Sequence, residues 1–318
     1  MKAPGKFKLA VYLFGFGGAA LFTVLLIRQG ASAVALAVAA AGWAIAAIAV
    51  YHLFVPLCLD AVAWWVLFPS FCRPPLRKLF WMRWVGESVS TLVPSAAVGG
   101  DIVRARLATI NGAPLALSAA TVLVDVTLGV FTQAAFTLLG LALLVDVTGQ
   151  KSFVGPTLLG TLAGVGAIAG FYFVQRMGMF RFLATIVAKL ASSDEWNSLI
   201  QGGTTLDQTI RDLYARKRGV IACCVVTIVS LIGGSGEIWI GLHALGLQAT
   251  VVNAVILQSM ALTIRSVAFP VPGGVGVQEG GYVAVGNFLG IPGEAAFALS
   301  LIARVRELTI GVPGLLIW

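Results

Sequence analysis

At 318 residues, with 59% hydrophobic and only 11% charged side chains, the chain has less than half the charge of a soluble domain, where roughly a quarter of residues are charged. Its mean hydropathy of +0.96 marks an integral membrane protein. The net charge of +8 lies mostly between apolar runs, which fits anionic lipid at a cytoplasmic membrane surface and argues against a nucleic-acid partner.

Lys2, Lys6 and Lys8 lead into an apolar run over 7–27, long enough to cross a hydrocarbon layer of ~30 Å. No small-residue cleavage site follows, so this run reads as a retained first helix rather than a signal peptide. A second, longer run covers 33–68. Pro56 is expected to kink it without dividing it, because no polar turn accompanies the proline. Asp60, Trp64 and Trp65 then fall toward a membrane interface, where Trp is favoured. The following stretch carries Arg73, Arg77, Lys78 and Arg83 with no acid, and the positive-inside rule makes it a cytoplasmic loop.

Residues 84–111 are too polar and interrupted for a simple span. They read as a half-helix 84–93, a break 94–100 and a returning half-helix 101–109. Spans are expected at 115–145, which contains Asp125, and at 154–174. Residues 175–218 hold seven Lys and Arg, with amphipathic spacing around 180–190, so they read as a connector along the cytoplasmic surface. A span at 220–245 carries Glu237 and His243 near its end. Segments 251–269 and 277–289 flank a second break, and 295–317 is the last span. Both basic segments reach the cytoplasm only if each interrupted region is a re-entrant hairpin, 84–111 entering from the cytoplasm and 251–290 from the opposite side.

The expected fold is therefore an all-α polytopic membrane bundle, inverted-repeat-like, with about six spans, two opposed re-entrant hairpins and a cytoplasmic C-terminus. It forms one transmembrane domain over 1–318, with halves 1–175 and 219–318 joined by the connector 176–218. Opposed broken segments in corresponding halves point to a binding site near the midplane.

The two breaks, VPSAAVGGDIVRAR at 93–106 and FPVPGGVGVQEGGYVAVGNFLGIP at 269–292, share a design. Glycine and proline at this density break a helix, and broken backbone survives in a bilayer only inside protein or beside a water-filled cavity. Each break opens a new helix whose free N–H groups suit an anionic partner. Pro94, Gly99, Gly100, Asp101 and Arg104 belong to the first, and Pro272, Gly273, Gly274, Gly276 and Glu279 to the second. Asp101 and Glu279 either satisfy those N–H groups themselves or stand beside a substrate, and sequence leaves both readings open. Arg104 lies three residues after Asp101 and can pair with it on one helix face.

Charges inside spans cost about 3 kcal/mol or more unless paired or hydrated. Arg265 and Arg304 thus either bind a lipid phosphate or pair with Glu307, Asp125 or Glu237. Arg306 and Glu307, being adjacent, are expected to find different partners on different faces. Glu87 adds an acid to the first hairpin, within reach of Arg83 one turn earlier. Gly233-Gly234-Ser235-Gly236 matches the G-x-S-G of intramembrane serine proteases, yet His243 lies two turns along the same helix, out of easy reach of Ser235. Cys58, Cys72, Cys223 and Cys224 lack CxxC spacing and read as packing residues. With no paired-aspartate Mg²⁺ motif and no Walker A sequence, no cofactor or metal is expected, and the chain reads as a non-enzyme.

RWVGESVSTLVPSAAVGGDIVRARLATING and the second break resemble the two signature regions of the lysylphosphatidylglycerol synthase transmembrane-region family of flippase-like proteins. The GGD and RAR of the first look closest to the hopanoid-biosynthesis-associated branch. The resemblance implies a lipid-translocating module of the bacterial inner membrane without the soluble aminoacyl-transferase half. It places Pro94, Gly99, Gly100, Asp101, Arg104, Asp125, Pro272, Gly273, Gly274, Gly276, Glu279 and Arg304 on family motifs, with Asp101 where many relatives carry Glu. The expected partner is a membrane lipid, with lipid-biosynthesis enzymes or a second copy of the chain as further partners. The alternatives are a non-transporting partner of such an enzyme, or a lipid-modifying enzyme using Glu279 or Asp101. Arginines beside acids suggest a head group carrying both phosphate and amine.

Overall fold

The computed structural model describes residues 39, 42–92, 98–149, 154–179, 196–267 and 276–318, and among them every regular element is helical. The expected span 7–27, the stretch 180–190 and site residues Pro94, Pro272, Gly273 and Gly274 lie outside the described residues.

Helices α1 (Ala44–Phe54) and α2 (Pro56–Leu67) form one apolar rod of 24 residues, Ala44–Leu67. The rod bends at Val55 (φ −111°, ψ −77°), because Pro56, which opens α2, has no N–H to continue the ladder of α1 and its ring crowds the preceding turn. The rod stops at Phe68. Arg73 Nε and Nη2 donate to the Phe68 carbonyl at 3.1 and 2.9 Å, and Arg216 Nη1 donates to the Leu67 carbonyl at 2.7 Å. Cations at the negative end of the rod complete its last turn.

The first interrupted region is a helical hairpin of α3 (Leu76–Leu92) and α4 (Val98–Ile110). It corrects the sequence reading in one respect: α3 begins eight residues before the expected half-helix. Arg77, Lys78 and Arg83 are therefore helical, and Arg83 is part of the interior instead of a loop. The two helices touch through glycine. A Cβ on Gly100 would collide with the Gly86 carbonyl oxygen and Ser90 Oγ, and one on Gly86 would collide with Arg104 Cγ. Such close approach of small residues is how helices associate where lipid supplies no hydrophobic drive.

Long α5 (Leu115–Thr148) ends at Gly149, whose φ of 65° suits a left-handed cap. Then come α6 (Val154–Arg176), α7 (Trp196–Ala215) and α8 (Lys217–Ala244). Where the connector is described, it is not only a surface element: α7 buries Ile210, Leu213 and Asp207 against the bundle. The second hairpin pairs α9 (Val251–Val267) with α10 (Val277–Phe288), Gly281 lying against Ile264, and α11 (Gly293–Leu316) closes the chain. By length and apolar composition, Ala44–Leu67, Leu115–Thr148, Leu158–Arg176 and Lys217–Ala244 can cross a membrane, whereas α11 carries three charges in its middle.

Among the described residues two large apolar cores result, with a small third cluster around Ile48 and Ile302. One joins α2, α3, α4 and α7 to the N-terminal parts of α5 and α8, and the other joins α9, α10 and α11 to their C-terminal parts. Helices α5 and α8 thus serve both cores. Helix α3 crosses to α11, where Gly311 and Gly314 admit Leu92, Ser88 and Trp84, and Trp84 Nε1 donates to the Ile310 carbonyl at 2.9 Å.

A candidate functional site between the two cores

The polar groups that these apolar helices carry converge between the cores. Isolated, each charge would be costly in a bilayer, so the bundle pairs them.

On the side of the first core, Arg83 donates to Asp60 (2.8 Å) and to Asp125 (3.1 Å). Arg104 donates to Asp125 (2.5 Å) and to Asp101 (3.1 Å), with its guanidinium 4.5 Å from the ring centre of Trp64. Ser230 Oγ donates to Asp60 at 2.7 Å. Asp60 is therefore a partner in the interior network and not an interface residue. The expected Asp101–Arg104 pair forms.

On the other side, Arg306 on α11 donates to Glu237 on α8 (2.5 Å), and Arg265 on α9 donates to Glu307 (2.6 Å). Arg304 Nε donates to Glu279 (2.9 Å) and its Nη1 lies 3.6 Å from Glu307. As expected of adjacent residues, Arg306 and Glu307 find different main partners, Glu237 and Arg265, although Arg306 Nη2 also stands 3.7 Å from Glu307. Glu87 does not turn back to Arg83. Its Oε1 faces His52 Nε2 at 2.9 Å, while His52 Nδ1 faces Glu237 at 2.8 Å. Seven carboxylates meet five guanidiniums in these pairs, so the network is net acidic before His52 is counted.

Two adjoining cavities open here. One, of about 60 Å³, is bounded by Glu237, Gln258, Gln278 and Tyr282, and the other, of about 170 Å³, by Glu87, Ser88 and Thr91. Arg265, Arg306 and Glu307 wall both. One water needs roughly 10–15 Å³ of such space, so the pair holds several waters or a small polar group, but no acyl chain. Arg265 keeps 39% of its side chain accessible, enough to offer donors to an occupant while holding Glu307.

Of the residues expected to form a site, Glu87 and Arg265 line the cavities. Arg304 reaches the same carboxylate, Glu307, from behind. Arg104 and Asp125 lie deep in the first network, Asp101 sits at its edge with 34% of its side chain accessible, and Gly99 and Gly100 open α4. Gly100 serves contact between helices. Gly276, at φ 80°, precedes α10, and its N–H donates to Glu279 Oε2 at 2.6 Å. With its other oxygen on Arg304 and 1% of its side chain accessible, Glu279 satisfies its own helix end and lies outside both cavities.

Sequence reasoning missed His52, Arg83 and Asp60 as network members, and weighed Glu237, Arg306 and Glu307 only as partners. The signal was present: an ionisable residue within an apolar run faces the bundle interior by default. Ser235 of the G-x-S-G is buried with no hydrogen-bond partner for Oγ among the described residues, while His243 Nδ1 lies 2.9 Å from the Trp239 carbonyl oxygen and His52 is taken by Glu87 and Glu237.

A family model described as the lysylphosphatidylglycerol synthase TM region matches residues 8–314, nearly the whole chain. No curated protein and no solved structure shows significant similarity to it.

Proposed function

The chain belongs to the lysylphosphatidylglycerol synthase TM region family, a membrane family of lipid metabolism and transport, and from that premise we propose that it moves an amphipathic lipid between leaflets. The observation that carries this reading is the cavity pair walled by Arg265, Arg306, Glu307 and Glu87 in the middle of an apolar bundle. A lipid head group is the polar object that such a chamber fits, with tails left in the surrounding hydrocarbon. Arg265 meets a phosphate oxygen, and Glu87 or Glu307 meets an amine. A phospholipid with an amine-bearing head group is thus the first candidate substrate, and a hopanoid-type amphiphile the second.

In this reading α3–α4 and α9–α10 act as opposed re-entrant hairpins in a bacterial inner membrane, and rocking about their glycine contacts exposes the chamber to one leaflet and then the other. The chain changes the position of its lipid and not its bonds, receiving it from or delivering it to lipid-biosynthesis enzymes.

Mass spectrometry of lipid retained by gently purified protein tests the site. Retained phospholipid of unaltered mass, lost in Arg265→Gln, is the expected result. A covalently altered lipid would support an enzyme instead. Equal retention by wild type and Arg265→Gln would remove the cavity from the account.

A further inference from the structure

His52 carries a hydrogen-bond conflict that the head-group reading leaves unused. Its Nδ1 lies 2.8 Å from Glu237 Oε1, an acceptor, and also 2.8 Å from Arg306 Nη1, a donor. One ring nitrogen satisfies only one of them at a time. As an imidazolium, His52 donates from Nδ1 to Glu237 and from Nε2 to Glu87. As a neutral ring protonated at Nε2, it keeps Glu87 and accepts Arg306 at Nδ1. Arg306 serves both arrangements, because its Nη1 also reaches Glu237 Oε2.

The position of this ring matters as much as its bonding. Glu237 walls the smaller cavity and Glu87 the larger, so His52 bridges a carboxylate of each while lining neither. Glu87 on α3 and Glu237 on α8 touch it, and one partner further lie Arg83 on α3, which acts on Glu87, and Asp60 on α2, paired with Arg83. Arg304, Arg306 and Glu307 on α11 follow, with Arg265 on α9, Tyr282 on α10 and its own neighbour Tyr51, whose hydroxyl donates to the Gly233 carbonyl. Asp60 neutralises Arg83, Arg265 neutralises Glu307, and Glu279 neutralises Arg304. That leaves Glu87 and Glu237 against Arg306, a surplus of one negative charge, which an imidazolium cancels.

We propose that His52 binds the proton that this protein exchanges for its lipid head group, which makes translocation proton-coupled. This inference rests on the head-group reading above. When a head-group ammonium donates to Glu87 and the phosphate's charge is met at Arg265, the ammonium supplies at Glu87 the charge that the imidazolium supplied there. The Nδ1–H bond then breaks, its proton passes to Glu237 and on to cavity water, and Arg306 donates to the freed nitrogen. Release of the lipid reverses each step. Because coupling between two ligands is reciprocal, protons weaken head-group binding by the factor by which the head group weakens proton binding.

The chain holds two histidines, so ring-¹⁵N-histidine protein gives two sets of signals, and His243→Gln assigns them. On adding phosphatidylethanolamine to the full chain in detergent, His52 Nδ1 should move from the protonated to the unprotonated range while His243 stays put. A His52 signal that phosphatidylethanolamine leaves unchanged overturns the proposal. Vesicles of phosphatidylcholine and phosphatidylethanolamine, with the membrane potential clamped to zero, add a transport arm. With one proton per lipid, one pH unit holds about a tenfold excess of phosphatidylethanolamine in the leaflet facing the acidic side. An impermeant amine reagent reads that ratio, which should fall to one in His52→Gln. Movement in wild type without gradient-driven asymmetry retains the transporter and removes the coupling. A His52 response to lipid without any movement retains the proton exchange and removes the transporter.

Discussion

Arg104 offers a measurable test of how the interior charges are held. It is 3% exposed, shares Asp125 with Arg83, and stacks on Trp64. Removing one partner of a buried ion pair costs about 3–5 kcal/mol, because the remaining charge stays desolvated. Asp125 would keep Arg83 at 3.1 Å, so Arg104→Gln belongs near the lower end, about 3 kcal/mol, with about 1 kcal/mol more from the lost contact over Trp64. Asp125→Asn should cost a similar amount, because it leaves Arg104 only the half-buried Asp101 and Arg83 only Asp60. The double variant strands neither, and should lose about 2 kcal/mol less than the sum of the singles. Reversible unfolding by denaturing detergent in mixed micelles, followed by Trp fluorescence, measures all four proteins. Strictly additive losses, or an Arg104→Gln protein within about 0.5 kcal/mol of wild type, would refute the pairing.

Gly100→Ala should destabilise the bundle by about 1–3 kcal/mol, since its Cβ meets the Gly86 backbone, whereas Gly129→Ala, with open space around it, should be neutral or stabilising by up to about 1 kcal/mol. The same unfolding assay reads both, and equal effects would mean that the α3–α4 contact is not close. Glu279→Gln should cost about 1–2 kcal/mol by weakening the start of α10 and its tie to Arg304, while changing binding of amine-bearing and amine-free lipids equally. A selective loss of the amine-bearing lipid would put Glu279 back in the site. In cysteine-free protein, a cysteine at exposed Gln248 should react with an impermeant reagent from outside the cell, and one at exposed Gly202 should not; the reverse pattern would invert the orientation.

The helical class, the kink at Pro56 and the paired helices flanking each break were legible because hydropathy and Gly/Pro punctuation are local signals. The Asp101–Arg104 pair was legible for the same reason, being one turn apart. What escaped was pairing between distant segments. His52 meets Glu237 across 185 positions, Arg306 meets Glu237 across 69, and Arg83 meets Asp125 across 42. Arg83 read as a cytoplasmic loop residue because it ends an acid-free basic run, and Asp60 as an interface residue because two tryptophans follow it. Glu279 and Gly100 stand out in the sequence, but local pattern does not reveal whether a helix start faces a cavity, its own carboxylate or a neighbouring helix. Helix α7 was hidden by the Gly202-Gly203-Thr204-Thr205 run, whose low intrinsic helix propensity is overridden by the packing of Ile210 and Leu213.

Translocation by the pure protein is the most direct measure of the central claim. Purified wild-type chain in phosphatidylcholine vesicles, with phosphatidylethanolamine placed initially in one leaflet, should equilibrate that lipid between leaflets far faster than protein-free vesicles. Arg265→Gln and Glu307→Gln, folded by the same unfolding assay, should lose at least tenfold in rate. Wild-type vesicles no faster than protein-free ones, or cavity variants as fast as wild type, would contradict the assignment of these cavities as the path of a lipid head group.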